Sequence, residues 1–113
     1  MHKLMILFGR SGDYLDMETR WSNEFVKRAE TMPGLRRVSV SRVAGGPSGE
    51  VDLHMVHEFY FDDLQALQRA LASPEGQIAG KALMSFAAEH VTLCFAEHME
   101  DARGEGRPAA ELE

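Results

Sequence analysis

The sequence predicts a single α+β domain in which helices cover one face of a four-stranded antiparallel sheet. Four short segments have the apolar patterns of strands, two longer stretches carry apolar residues at helical spacing, and turns containing Gly or Pro separate them. The order strand, helix, strand, strand, helix, strand is the split β-α-β-β-α-β arrangement of ferredoxin-like domains. A chain of 113 residues is long enough to build one core without a disulfide or metal.

The first half of the chain predicts two strands on either side of a helix. Residues 4–8 are apolar at every position and end at a glycine, which is typical of a strand buried on both faces. Asp13 is placed to cap the helix, which ends at Pro33-Gly34. Apolar residues lie three or four positions apart along this helix: Met17, Trp21, Phe25, Ala29 and Met32. Residues 35–43 alternate apolar with polar, as in a strand with one wetter face.

The second half predicts a strand at 51–61 that pairs with the preceding one as a hairpin, a helix in two pieces, and a strand at 90–97. Asp62 is expected to cap the first helical piece, and Gln65 three positions on completes a capping box. Ser73 caps the second piece, which begins at Pro74 because a missing N–H costs no hydrogen bond there.

Composition bounds the function classes and the cellular setting. With 18 acidic and 12 basic side chains and a net charge of −6, the chain has no electrostatic driver for binding nucleic acid. The apolar runs are too short to span a membrane. Cys94 has no partner cysteine and is expected to be a small buried hydrophobe. Since no secretory leader opens the chain, a reduced, cytoplasmic setting is expected.

The end of the chain is expected to lie outside the fold. Residues 100–113 hold mainly charged residues, alanines and glycines, which predicts a flexible tail after a folded domain of residues 1–99. The closing Leu112-Glu113 pair is compatible with a cloning remnant.

The sheet is predicted to carry a second apolar face that the helices leave open. The first strand is apolar on both sides, and the third offers Val56 and Tyr60 opposite its other apolar side chains. Because isologous dimers are the commonest oligomers, a second copy is the simplest cover for this face. We therefore expect a homodimer with a cavity between the sheets.

Four segments resemble the EthD family of small dimeric α+β barrel proteins. They are Trp21 in the first helix, the turn Pro33-Gly34-Leu35-Arg36-Arg37, the strand Glu58-Phe59-Tyr60-Phe61-Asp62, and Ala70-Leu71-Ala72-Ser73-Pro74-Glu75-Gly76. The resemblance implies a homodimer whose open sheet face takes a small apolar or aromatic molecule. The family's namesake is associated with ether degradation, a catabolic setting, while some relatives are isomerases and others act on polyketides. Many members carry a His four residues after the Trp, where this chain has Phe25, which cannot transfer protons.

Two residues of the third strand, Glu58 and His54, are candidate catalytic residues. A carboxylate inside an apolar strand must be paired or take up a proton, and the second case gives a usable acid or base. The structural alternative for Glu58 is an ion pair with an arginine, namely Arg10, Arg37 or Arg42. His54 can act as an acid or base if it faces the cavity, and alternation places it on the face of Glu58. Its structural alternative is a hydrogen-bonded histidine at the sheet edge.

The candidate ligand-binding residues are aromatic or apolar: Tyr60, Phe25, Trp21 and Val56. Tyr60 could bind a ligand oxygen through its hydroxyl, although packing with a solvated tip is the structural alternative. No metal site is expected, because His54 and His57 point to opposite faces of a strand. No cofactor is expected either, since the chain has no Cys-x-x-Cys motif and no phosphate-binding glycine loop.

Three functions remain open from the sequence. The first is a cofactor-independent isomerase, oxygenase or decarboxylase acting on a small cyclic or aromatic compound, with Glu58 and His54 moving protons. The second is a non-catalytic binding or carrier protein, which Phe25 favours. The third is a haem-binding barrel, in which His54, His57 or His90 would supply the axial nitrogen.

Overall fold

The computed structural model describes residues 1–101 and confirms the predicted order of elements. The sheet order is β2-β3-β1-β4, and each neighbouring pair is antiparallel. The elements are β1 (His2–Phe8), α1 (Tyr14–Arg20), a π-helical segment (Trp21–Val26), α2 (Lys27–Ala29), β2 (Arg37–Arg42), β3 (Met55–Phe61), α3 (Leu64–Ala72), α4 (Pro74–Ala87) and β4 (Val91–Glu97). Of the predicted tail, residues 102–113 lie outside the described residues. Across residues 1–101, no helix is both long and apolar enough to cross a membrane.

The helices pack on one face of the sheet and form the core there. The two central strands alternate, and their core-facing residues are Leu4, Ile6, Phe8, Met55, His57, Phe59 and Phe61, none of them more than 3% exposed. The five apolar residues predicted to line the first helix are all buried, which confirms that prediction. Burial of this matched set of apolar side chains is the main stabilising contribution to the fold.

The first helix widens into a π-helical segment in its middle. Its buried residues Met17, Trp21, Phe25 and Ala29 lie four apart. In an α-helix four residues exceed one turn by about 40°, so the row would drift away from the sheet. A π-helical turn is wider and corrects this drift, keeping all four residues on the core. The π-helical segment therefore follows from the spacing of the core residues.

The two-piece helix is capped by Asp63 and Ser73. Asp63 accepts a hydrogen bond from the Ala66 N–H at 2.7 Å, so the predicted cap at Asp62 was wrong by one residue. Asp62 instead forms a bidentate pair with Arg36, and this tertiary contact leaves the neighbouring Asp to cap the helix. The prediction for Ser73 is confirmed, since its hydroxyl accepts from the Gly76 N–H at 3.1 Å.

The hairpin of β2 and β3 is shorter than predicted. The strand predicted at 35–43 begins later and ends earlier in the structure, and the strand predicted at 51–61 begins later. Regular pairing between the two strands stops at Arg42 opposite Met55. The connector closes on itself through a bridge between Gly46 and Gly49. Gly49 has a φ of 114°, a conformation that favours glycine, so the connector turns away from the ladder.

Candidate functional site

The open face of the sheet combines apolar residues with a charged pair. Met5, Leu7 and Val56 are half-buried on this face. Glu58 lies beside them and pairs with Lys3, whose side chain is 15% exposed against 13% for Glu58. Glu58 therefore forms an ion pair, as its structural alternative predicted. Its partner is a lysine and not one of the three predicted arginines.

Tyr60 lies at one end of the open face between two cations. In the strand register it stands opposite Lys3 on β1 and Arg37 on β2. The Arg37 guanidinium carbon is 4.2 Å from the centre of the Tyr60 ring, and the Lys3 ammonium is 5.5 Å away. The Tyr60 hydroxyl lies 3.2 Å from the Ser39 hydroxyl. The ring and the hydroxyl of Tyr60 therefore both contact other groups of the protein.

The segment after β4 folds over this end of the open face. The His98 N–H donates to the Met1 carbonyl at 2.8 Å, and the His98 ring lies 4.8 Å from the Tyr60 ring. Glu100 pairs with Arg37 at 2.6 Å. Cys94 also lies on this face and is exposed, so its predicted burial was wrong. It sits on an edge strand, where only one neighbour shields each residue.

His54 does not share the face of Glu58, which corrects the expectation from alternation. β3 begins at Met55, so the two-residue alternation of the strand does not extend to His54. Its imidazole instead turns toward α1, where Nε2 lies 2.7 Å from a Glu18 carboxylate oxygen. Its ring centre lies 5.3 Å from that of Tyr14.

Glu18 is the centre of a chain of charged groups that runs from β2 to His54. Its other carboxylate oxygen accepts from Arg42 Nε at 3.1 Å and Nη2 at 2.7 Å. The Arg42 hydrogen bonds lower the pKa of Glu18 below its ordinary value, so the carboxylate is ionised near neutral pH. An ionised carboxylate can only accept a hydrogen bond, so the Nε2–H of His54 is the donor in its hydrogen bond to Glu18. The second ring nitrogen, Nδ1, takes no part in this hydrogen bond.

A cavity of about 420 Å³ adjoins His54. Its lining is Arg10, Ser11, Gly12, Tyr14 and His54. This volume lies within the range of small-molecule sites, and the lining supplies an aromatic ring, a guanidinium, a hydroxyl and an oriented imidazole. Within residues 1–101, no cluster of three or more potential ligands is arranged to hold a metal ion.

Trp21 and Phe25 lie in a different place, around the buried His57. The Trp21 indole N–H donates to His57 Nδ1 at 3.1 Å. The Phe25 ring stands edge-on to His57 at 5.8 Å, and the Phe59 ring lies 4.2 Å from it. His57 is 0% exposed, and this burial lowers its pKa to about 4. The four predicted ligand-binding residues therefore divide between two faces of the sheet, with Tyr60 and Val56 on the open one.

Tyr14, Glu18 and Arg42 belong to this candidate site but were not among the predicted site residues. Glu18 and His54 are 36 positions apart, and neither belongs to a short motif that would link them. They meet because α1 lies beside the residue that precedes β3.

Comparison with known proteins places the fold in a family. No family model matches the sequence. Among solved structures, an EthD family protein from Bacillus halodurans C-125 is 34% identical, with a TM-score of 0.84 over 88% of this chain and 99% of that one. SnoaB, a cofactor-independent oxygenase from Streptomyces nogalater, is 17% identical, with a TM-score of 0.65 over 91% and 97%. A dimeric protein of unknown function and ferredoxin-like fold from Bacteroides fragilis is 19% identical, with a TM-score of 0.60 over 86% and 95%.

The second and third of these similarities show the fold alone, because their sequences have diverged widely. The first covers nearly the whole of both chains, and a third of the aligned residues are identical. This chain belongs to the EthD family.

Proposed function

We propose that this protein binds a small apolar or aromatic compound and converts it by cofactor-independent acid–base chemistry, with His54 moving the proton. The observation that carries the proposal is the chain of Arg42, Glu18 and His54 beside a cavity of about 420 Å³. The Glu18 carboxylate orients the imidazole and stabilises the imidazolium that forms when a proton arrives.

The reaction that these groups support best is an isomerisation through an enolate. Nδ1 of His54 takes a proton from a carbon next to a substrate carbonyl, and the electron pair moves onto the carbonyl oxygen. Arg10 lines the cavity and offers a positive charge to that oxygen. The imidazolium then returns the proton to another carbon, so atoms and charge balance without a co-reactant. Decarboxylation of a β-keto acid also gives an enolate: the bond to the carboxylate breaks, carbon dioxide leaves, and the enolate carbon takes a proton from the His54 imidazolium.

Replacing His54 with glutamine is expected to lower turnover by about 10²- to 10⁴-fold, since the amide cannot accept the proton. Glu18→Gln is expected to lower it by about 10- to 100-fold, because the imidazole loses its orienting charge. A thermal-shift screen of small cyclic ketones and aromatic acids supplies the substrate, and steady-state kinetics gives kcat and KM. Both effects are expected mainly in kcat.

Glu24→Gln is the matched control for Glu18→Gln. Glu24 lies on the same helical stretch and pairs with Arg20 at 2.8 Å, away from the cavity lining. Its turnover should equal that of the native protein. Conversion that survives His54→Gln but disappears in Glu58→Gln would move proton transfer to the open face and refute the assignment to His54.

A non-catalytic carrier is the second candidate function. Phe25 favours it, because the helix position that carries a His in many relatives here holds a buried ring packed against His57. A carrier binds its ligand and returns it unchanged. Stoichiometric binding without turnover by the native protein would therefore support the carrier and refute the enzyme.

We further propose that a second copy covers the open face and encloses Glu58 and Tyr60. The half-buried Met5, Leu7 and Val56 on this face support the proposal, since apolar residues there gain from burial in an isologous contact. In this arrangement the pair of Lys3 and Glu58 is an interface feature, and its role is to fix how the two faces align.

Val56→Lys is expected to convert the dimer to a monomer at micromolar concentration, because a charge would be buried without a partner in the contact. Light scattering or sedimentation measures the mass. Ile78→Lys is the control, since Ile78 is 54% exposed on the helix layer and should leave the mass unchanged. A native protein that is monomeric at this concentration would contradict the proposal.

A further inference from the structure

We propose that a groove between the first helix and α4 binds a small zwitterion, namely an α-amino acid with an apolar side chain. This helix groove has a volume of about 510 Å³. Its lining is Asn23, Lys27, Arg28, Thr31, Glu75 and Ile78. None of these residues lines the cavity at His54, so the proposal is independent of the catalysis proposed there.

One wall of the helix groove is basic and comes from the first helix. Asn23, Lys27 and Thr31 follow one another at intervals of four residues and form a row along the groove. Arg28 lies beside this row, and its Nη1 donates to the Glu24 carbonyl oxygen, which fixes the position of the guanidinium. The wall therefore offers an ammonium, a guanidinium and an amide N–H to a ligand carboxylate.

The other wall comes from α4, which packs against the first helix. Glu75 and Ile78 lie three residues apart and so share one face of α4. The Glu75 carboxylate can accept hydrogen bonds from a ligand ammonium. Ile78 is 54% exposed, so an apolar group that covers it gains from the burial of both surfaces.

The opposite charges of the two walls do not meet within the protein. Among residues 1–101, Lys27 and Glu75 form neither a hydrogen bond nor an ion pair, and Arg28 has no carboxylate partner. Other basic residues in this part of the chain do pair with a carboxylate: Lys3, Arg10, Arg20, Arg36, Arg37 and Arg42. The helix groove thus keeps unlike charges apart, and a molecule that carries both charges can bridge them.

The arrangement of charges selects the class of ligand. A simple carboxylate would meet Lys27 but would be repelled by Glu75, and a simple amine would meet Glu75 but would be repelled by Lys27. An amino acid places its carboxylate on the basic wall and its ammonium on Glu75. Its side chain then covers Ile78, which favours an aliphatic residue such as leucine.

The test titrates the isotope-labelled protein with L-leucine, isocaproate and isoamylamine while backbone amide resonances are followed. Isocaproate is leucine without the ammonium, and isoamylamine is leucine without the carboxylate. Leucine is expected to bind about three- to fivefold more tightly than either analogue, because one exposed ion pair gives a difference of this order. The resonances that move should belong to residues 23–31 and 75–78.

Two variants separate the two charge contacts. Lys27→Gln should lower the affinity for leucine to that for isoamylamine, without weakening isoamylamine itself. Glu75→Gln should lower the affinity for leucine to that for isocaproate, without weakening isocaproate. A variant that merely loosened α4 would weaken all three ligands alike, so this opposite pattern reports the charge contacts and not the stability of the helix.

Lys81→Gln is the matched control, since it removes a positive charge from α4 outside the lining of the helix groove and should leave all three affinities unchanged. Equal affinity of the native protein for leucine and its two analogues would overturn the proposal. Shifts confined to residues 10–14 and 54 would place the amino acid at the His54 cavity and would also refute it. Groove resonances that stay in place with all three ligands would show a solvated groove only.

Discussion

Gly76→Ala is expected to destabilise the fold by about 3 kcal/mol or more, within the range of severe core overpacking. Gly76 is buried in the first turn of α4, where this helix meets the end of α3. A β-carbon at this position would lie 2.8 Å from the Leu71 Cα and would also collide with the Ala70 carbonyl oxygen. Both are backbone atoms, so no side chain can move aside and α4 would have to separate from α3.

Gly80→Ala is the matched control, because it adds the same methyl group to the same helix. No atom lies within 4 Å of a β-carbon at Gly80, so the substitution should stabilise the helix by up to about 1 kcal/mol. Urea unfolding followed by circular dichroism measures both free energies. A Gly76→Ala variant as stable as Gly80→Ala would refute the close approach of the two helices.

Lowering the pH from 6.5 to about 4 is expected to remove about 3 kcal/mol of stability through His57 alone. The pKa of His57 is about 4 in the folded protein against an ordinary value of 6.5. Between these values the unfolded chain binds a proton that the folded protein excludes. Acid therefore favours unfolding, and the full stability is present only above about pH 6.5.

The His57→Phe variant tests this pH dependence. The carboxylate of Glu18 also has a lowered pKa, but its contribution is present above its ordinary value of 4.5 and is lost below that pH. The interval from pH 4.5 to 7 is thus dominated by His57 among these groups. As the pH is lowered from 7 to 4.5, the free energy of unfolding from urea titrations should fall in the native protein and stay level in His57→Phe. The same dependence of the free energy of unfolding on pH in both proteins would contradict the assignment of His57 as a buried neutral histidine.

The sequence was sufficient for those features that depend on near neighbours in the chain. The caps at Asp13 and Ser73 were predicted correctly, since each bonds an N–H three residues on. The buried row of the first helix was also predicted, because spacing alone decides which side chains share a face. The fold class follows from these same local patterns.

Features that depend on distant contacts were not predictable in this way. Asp62 and Asp63 are equivalent as caps in the sequence, and only the contact between Arg36 and Asp62 distinguishes them. The role of Glu58 was decided by Lys3, which is 55 positions earlier and one strand away.

The candidate site shows the same limit. Because the strand was predicted to begin at residue 51, alternation placed His54 on the same face as Glu58. The strand begins at Met55, and the His54 imidazole contacts Glu18 on α1. His57 was predicted only to face away from His54, and its bond to Trp21 depends on how the π-helical segment lies across the sheet.

The central position of β1 has a consequence for how the chain folds during synthesis. β1 is made first, yet its partners are β3 and β4, and β4 is the last strand of the sheet. At ribosomal rates of about 5–20 residues per second, β1 waits roughly 4–18 s for its second neighbour. Throughout that interval an almost wholly apolar strand keeps an unpaired edge, which is a template for aggregation. Early docking of the first helix on Leu4, Ile6 and Phe8 would shield one face of the waiting strand, so substitutions that weaken this helix should lower the yield of folded protein more than its final stability.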